Sequence, residues 1–167
     1  MSKLIIVLIG LPCSGKSTYL TTIDYDFVIS SDAIVEILCK QSGIAYHDYF
    51  KLSSDSKLKQ MHKTIFDNLI EESKAFDRVV WDLTNLTRES RARIFKHYPN
   101  AQFSAVVFDR NEDASSLREQ NKQRFLETGK YIDENVLQAM FDKYEEVSEQ
   151  EAFDDVQLFT NIQQQSQ

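Results

Sequence analysis

The chain has 167 residues, 42 % of them hydrophobic, and a formal net charge of −7. That is enough apolar material for one domain with one core, and the acidic balance argues against nonspecific binding to long nucleic acid. Four Gly and two Pro leave no room for a flexible linker, two Cys and three His make neither a disulfide framework nor a zinc-ligand spacing, and no apolar run approaches the roughly 18–20 residues of a membrane span.

A single domain is therefore expected over residues 1–160, with the Gln-rich residues 161–167 as a flexible tail. The start of the chain lacks a signal-peptide pattern, so the expected location is the cytoplasm, and any metal is expected to be held by oxygen. Residues 3–9 (KLIIVLI) are apolar without alternation, the pattern of a strand buried on both faces in a parallel sheet. Residues 10–15 follow as a loop of small residues, and a short helix is predicted from Lys16 to about Ile23. Residues 27–30 (FVIS) form a second strand, and Ser31-Asp32 precedes a helix with Ile34, Ile37 and Leu38 on its apolar face. Ser53 to Ser56 offer N-caps for a helix with Leu58, Met61, Ile65 and Leu69 in register. Residues 78–82 (RVVWD) are the third strand, and Thr87 caps a basic helix that ends near Tyr98, before Pro99-Asn100. Residues 102–108 (QFSAVVF) are the fourth strand, and a charged helix from Asp113 to about Glu127 stops at Gly129. Asp133 opens a helix that turns Val136, Leu137, Met140, Phe141, Tyr144 and Val147 inward, and residues 156–159 complete a sheet of five strands. Strands alternating with helices at this spacing predict an α/β, three-layer architecture with a mostly parallel sheet.

Three stretches run against the acidic balance: residues 51–63 and 88–96 each carry +3, and residues 118–130 carry +2. Each follows a strand and is expected at the carboxyl edge of the sheet, as a basic cleft on an acidic body. Solvated helix faces that differ in charge would leave the same pattern.

Gly10-Leu11-Pro12-Cys13-Ser14-Gly15-Lys16-Ser17 fits GxxxxGK(S/T) between a buried strand and a helix. In such a loop the backbone N–H groups converge on phosphate, the lysine reaches the β- and γ-phosphates and the serine hydroxyl takes a Mg²⁺ position. Gly10 to Thr18 are thus expected to bind ATP, with Lys16 also catalytic and Ser17 on the metal. There is no NKxD guanine signature, because Asn121-Lys122-Gln123 is followed by Arg124, and the short chain suits a kinase better than an ATPase with added strands. A kinase also needs an acid for magnesium, a base at the acceptor hydroxyl, and cations that close on the transferring phosphoryl group. Asp82, at the tip of the third strand, is the candidate metal acid, or else a strand-end turn residue. Asp32 is the candidate base, although an Asp before a helix is also a common N-cap. Thr84 and Asn85 either contact the acceptor or shape their own loop, and Arg88 and Arg91 are further candidate acceptor contacts. Arg118 and Arg124 are candidate lid cations, the first toward the nucleotide and the second toward the phosphoryl group, unless their helix presents them to solvent. Cys13 is a small filler whose oxidation would block ATP.

The segments GLPCSGKST, SSD at residues 30–32, WDLTNLTRESR at 81–91 and QNKQR at 120–124 together resemble the kinase domain of the bacteriophage polynucleotide 5′-kinase/3′-phosphatase family, across residues 3–159. The resemblance implies a P-loop kinase fold with a helical lid and with the Asp82 strand beside the P-loop strand. It implies ATP and Mg²⁺ on Lys16 and Ser17, Asp32 as the base that activates the 5′-hydroxyl of a DNA or RNA end, and Arg124 as the lid arginine. It also implies kinase activity only, since the phosphatase motif is absent, and the host cytoplasm if the chain is phage-encoded. Two positions depart from the family: Val35 stands where it has an arginine three residues after the base, and Leu83 stands where some members have an aspartate before the Thr-Asn pair. Val35 favours an alternative, a kinase for a small hydroxylated acceptor such as a nucleoside, nucleotide, modified base or antibiotic. A non-catalytic ATP-binding regulatory protein is the third reading.

Overall fold

The computed structural model describes residues 2–109 and 114–160. Five strands, β1 (Leu4–Ile9), β2 (Phe27–Ser30), β3 (Arg78–Asp82), β4 (Gln102–Phe108) and β5 (Asp155–Phe159), form one sheet in the order β2-β3-β1-β4-β5. All four pairings are parallel, and β1 lies at the centre between β3 and β4. Ile5, Val7 and Ile9 of β1 point to one face of the sheet and Ile6 and Leu8 to the other, and all five are buried. A strand with both faces covered has no polar side, which is why KLIIVLI lacks alternation.

One face is covered by α4 (Lys57–Ser73) and α5 (Arg88–His97) through Phe66, Leu69, Ile70, Ile94 and Phe95. The other is covered by the short α1 (Lys16–Leu20) through Tyr19 and Leu20. α2 (Ser31–Ser42) and α3 (Tyr46–Tyr49) pack against α4, while α6 (Ala114–Thr128) and α7 (Glu134–Lys143) meet over Leu11 and Leu86 as a helical lid. Among the described residues no helix is long and apolar enough to cross a membrane.

Strand positions follow the sequence reading closely, and the helix faces are shifted. α2 buries Ile34, Val35, Leu38 and Cys39 and leaves Ile37 53 % exposed. α4 turns Leu58, Ile65, Phe66, Leu69 and Ile70 inward and exposes Met61. In both helices the inward stripe is centred one residue away from the predicted one, because the neighbouring layer decides which flank of an apolar stripe is covered. α3 has no counterpart in the sequence reading. Asp113, the predicted start of the lid helix, and residues 161–167 lie outside the described residues.

Buried polar groups hold the loops. Trp81 Nε1 donates to the Tyr98 hydroxyl at 3.0 Å, and Ser73 Oγ lies 2.6 Å from the same oxygen. Arg91 shares the inward face of α5 with Ile94 and is fully buried. Its guanidinium donates to both carboxylate oxygens of Glu151, at 2.7 and 3.1 Å, and to the Asn85 carbonyl at 2.9 Å. Burial alone would push the Glu151 carboxyl up, but Arg91 and the Ser148 N–H hold it below the ordinary range. Glu151→Gln leaves the Arg91 charge buried without its counterion and is expected to destabilise the fold by about 3–5 kcal/mol, read from urea unfolding at neutral pH. A carboxylate with a depressed folded value stabilises above its unfolded value and loses that contribution as pH falls through the folded one. The difference between wild type and variant is therefore expected to narrow in acid.

Candidate active site

Because the strands are parallel, the loops after β1, β2 and β3 leave the sheet on one edge. They enclose, with the lid, a cleft of about 620 Å³. The cleft is lined by Pro12 to Thr18, by Ser31, Asp32 and Val35, by Asp82, Leu83 and Thr84, and from the lid by Gln120, Gln123, Arg124 and Glu127. Tyr46, Phe50, Ile132 and Met140 complete its apolar side.

The loop from Gly10 to Gly15 is built to curl. A Cβ on Gly10 would lie 2.7 Å from Ser14 Oγ and 2.8 Å from Phe108 Cβ, so only glycine passes there. Cys13 (φ 65°) and Gly15 (φ 101°) both adopt left-handed backbone, which turns successive N–H groups toward one side. For Cys13, a non-glycine residue, that conformation costs about 1–3 kcal/mol, a strain kept where the surroundings over-determine it. Ser14 Oγ is buried and has no hydrogen-bond partner among the described residues. Lys16 Nζ donates to the Gly10 carbonyl at 2.9 Å, and burial brings its ammonium down to about 8, against the opposing pull of Asp82 and Asp32. A curled backbone, an unpartnered hydroxyl and a partly desolvated ammonium on one loop fit the phosphates of a nucleotide.

Burial pushes the Asp82 carboxyl up, Lys16 opposes this, and Asp32 adds to it. A divalent cation beside Asp82 would relieve that strain, and the Ser17 hydroxyl lines the same cleft. Among the described residues no group of three or more His, Cys, Asp or Glu side chains forms a metal cage. The pair Ser17 and Asp82 fits Mg²⁺, which commonly takes most of its ligands from phosphate and water.

Asp32 is not the N-cap of α2. Ser30 holds that place, accepting from the Ala33 N–H at 3.2 Å, and the Asp32 carboxylate turns into the cleft. The Tyr46 hydroxyl donates to Oδ1, Lys130 Nζ donates to Oδ2 at 2.8 Å, and Arg124 Nη2 lies 3.7 Å from Oδ2. Burial would push this carboxyl up, yet the bonds from Lys130 and Tyr46 and the nearby Arg124 charge hold it below the ordinary range. Burial and the Asp32 charge push the Tyr46 phenol well up, so it remains a donor. Arg124 Nη1 also donates to Cys13 Sγ at 3.8 Å, joining the lid to the P-loop.

Four of the predicted contacts lie off the cleft. Asn85, buried with φ 49°, donates to the Leu8 carbonyl at 2.7 Å and so fastens the loop after β3 to the end of β1; beside it, Gly10 N–H donates to the Thr84 carbonyl at 3.0 Å. Arg91 is spent on Glu151, and Arg88 Nε donates to the Glu146 carbonyl at 3.1 Å. Arg118 Nη2 donates to Gln138 Oε1 at 3.3 Å on α7. Of the three basic stretches, only residues 118–130 reach the cleft among the described residues. Lys51 lies 3.5 Å from Asp133 Oδ2, and Lys63 and Arg93 form exposed pairs with Asp67 and Glu89. The acids of residues 141–155 include the Glu151 that draws Arg91 inward. Tyr46 and Lys130, which hold the Asp32 carboxylate, were not among the predicted site residues, and neither were the lining residues Phe50, Gln120, Gln123 and Glu127. The Gly129 stop was a usable signal, since a cation just past a helix end is free to point elsewhere than a helix face.

The chain belongs to the AAA domain family, whose sequence model matches residues 5–147. No curated protein matches the sequence. Solved structures share the fold at low identity. A gluconokinase from Sinorhizobium meliloti 1021 is 20 % identical with a TM-score of 0.52, over 93 % of this chain and 81 % of that one. Kti12 from Chaetomium thermophilum in complex with ADP-AlF3 is 17 % identical with a TM-score of 0.63, over 94 % and 89 %. A fungal RNA kinase is 19 % identical with a TM-score of 0.52, over 93 % and 74 %. The five-stranded parallel sheet with its flanking helices is a P-loop kinase fold, and β3 pairs directly with β1.

Lys16, drawn down to about 8 by burial, loses its charge as pH rises through that value, and phosphate favours the charged form. ATP affinity is therefore expected to hold steady to about pH 7.5 and then to fall, by up to roughly tenfold per pH unit. Calorimetric titration across this range checks it, with Lys16→Met expected to bind weakly and without that dependence. A wild-type affinity that does not change with pH would take Lys16 off the phosphates.

Proposed function

We propose that this member of the AAA domain family is an ATP- and Mg²⁺-dependent kinase that transfers the γ-phosphate to the 5′-hydroxyl of a DNA or RNA end. The observation that carries this reading is the shared cleft of Lys16 and Asp32, an ammonium for the donor phosphates and an ionised carboxylate for the acceptor, with Arg124 between Asp32 and the P-loop. The acceptor O–H gives its proton to Asp32 as its oxygen bonds to the γ-phosphorus. The bond from that phosphorus to the β-phosphate bridging oxygen breaks, and ADP leaves with the electron pair. Lys16 and Arg124 stabilise charge on the transferring group. Mg²⁺ held at Ser17 and Asp82 would neutralise the phosphate oxygens and orient them. The motif resemblance and the fold shared with a fungal RNA kinase support a nucleic-acid end as acceptor.

A small hydroxylated acceptor is the second reading. It is favoured by the apolar acceptor side formed by Val35, Phe50, Ile132 and Met140 and by the two basic stretches that stay clear of the cleft.

Transfer of labelled γ-phosphate to short 5′-hydroxyl DNA and RNA, with nucleosides in parallel, separates these readings. Transfer to oligonucleotides is expected, abolished in Lys16→Ala and reduced about 10²-fold or more in Asp32→Asn with ATP binding retained. Arg124→Ala is expected to lower kcat more than it raises the acceptor KM. Transfer to nucleosides alone would select the second reading. ATP binding without transfer to any acceptor would leave a nucleotide-binding protein.

A further inference from the structure

We infer that Lys130, delivered by the strap of residues 129–132 that follows the lid helix α6, is a positioning residue for the base Asp32. The inference rests on the reading of Asp32 as the base and on nothing about the acceptor.

The strap is held at both ends. Gly129 (φ 73°) closes α6 in left-handed backbone, with its N–H on the Phe125 carbonyl at 2.8 Å. A side chain at 129 would strain this turn, and the turn throws the next residue away from the helix axis. Two residues on, the Asn121 side chain, 1 % exposed, donates to the Ile132 carbonyl at 2.7 Å and accepts from the Ile132 N–H at 3.2 Å. Ile132 is itself buried against Leu11 and Leu117. The backbone of Lys130 is thus fixed to α6 by a buried amide and to the P-loop side of the core by packing.

The side chain is equally committed. Lys130 Nζ donates to Asp32 Oδ2 at 2.8 Å and to Glu36 Oε1 at 2.9 Å, with its side chain 19 % exposed. Asp32 and Glu36 stand four residues apart on α2, two like charges on one face that one ammonium bridges. With Tyr46 on Oδ1 and Lys130 on Oδ2, both carboxylate oxygens are anchored, which sets the plane of the group. Each oxygen keeps one lone pair for an acceptor hydroxyl. Misplacing a reacting group by a fraction of its hydrogen-bond length is costly in rate, so the anchors act on turnover rather than on nucleotide binding. Arg124 stands on the same α6 that ends in the strap. Arg124 and Lys130 therefore reach Asp32 Oδ2 from one connected element, α6 and its strap.

Asp32 faces Lys130 from the strap, Tyr46 from α3, Arg124 from α6, Lys16 from α1, Asp82 from β3 and Glu36 on its own helix. Removing Lys130 takes away a cation and a donor, so the Asp32 carboxyl titrates at higher pH and the acid limb of kcat moves up with it.

Lys130→Met in the full chain is expected to lower kcat roughly 10- to 100-fold with the ATP KM within about threefold, and to raise the acid limb by roughly one pH unit. Lys130→Arg is expected to recover most of both, and thermal melting of the Met variant checks that it folds. A Met variant with wild-type kcat overturns the inference. So does one that is slow but has an unmoved acid limb, because that would make Lys130 a fastener of the lid alone. Absence of transfer from the wild-type protein to any acceptor would sink the kinase reading on its own. The Asp32 carboxyl resonance, identified by its loss in Asp32→Asn, then still decides the contact. A titration midpoint that rises in Lys130→Met upholds it, and an unchanged midpoint overturns it.

Discussion

The parallel pairing of β1 with β3 on one side and β4 on the other places everything else. Leu4 to Val7 align with Arg78 to Trp81, and Leu4 to Ile9 with Gln102 to Val107. A central strand with hydrogen bonds to both neighbours and apolar side chains on both faces has little freedom to slip, since a shift of one residue would exchange its two buried faces. Because β2 pairs parallel to β3 in the same way, the chain leaves the sheet at one edge after Ile9, Ser30 and Asp82. The phosphate loop, the carboxylate of Asp32 and the carboxylate of Asp82 share a cleft for that reason, although residue 16 and residue 82 are far apart in the chain.

Within the cleft, charge is arranged against desolvation. Burial disfavours the charged form of Lys16, Asp32 and Asp82 alike, and the three respond differently because their partners differ. Asp32 has two donors and a nearby guanidinium, which outweigh burial and keep it ionised. Asp82 has Lys16 as its cation and Asp32 as a like-charged neighbour, so its carboxyl is pushed up. Lys16 has only a carbonyl as hydrogen-bond acceptor in the P-loop and is drawn down. The two groups left under strain, Lys16 and Asp82, are those whose strain phosphate and a divalent cation would relieve.

Three buried polar side chains perform the same mechanical task in different places. Asn85 ties the β3 loop to β1, Asn121 ties the strap to α6, and Arg91 ties residues around 151 beneath the β3 loop. Each satisfies backbone groups that a buried loop would otherwise leave unpaired, a deficit of about 1–3 kcal/mol per group. The short segments that carry Thr84 and Lys130 are held by these bonds rather than by regular secondary structure.

From the sequence alone came the strand positions, the parallel α/β class, the phosphate loop and the placement of Asp32 and Asp82 at strand ends. These rest on local patterns: unbroken apolar runs, a fixed glycine-lysine spacing, and acids at the end of apolar runs. The exchange of Arg91 from acceptor contact to buried counterion of Glu151 was decided only in three dimensions, as were the clamp made by Asn85 and the absence of Arg118 from the cleft. Helical periodicity tells which residues share a face and is silent on which face meets the core, and an arginine has the same letter whether water or a glutamate surrounds it. Lys130 and Asp32 lie 98 positions apart, and their contact exists because a left-handed turn at Gly129 and a buried Asn121 aim one side chain across the cleft, a direction that no local spacing encodes.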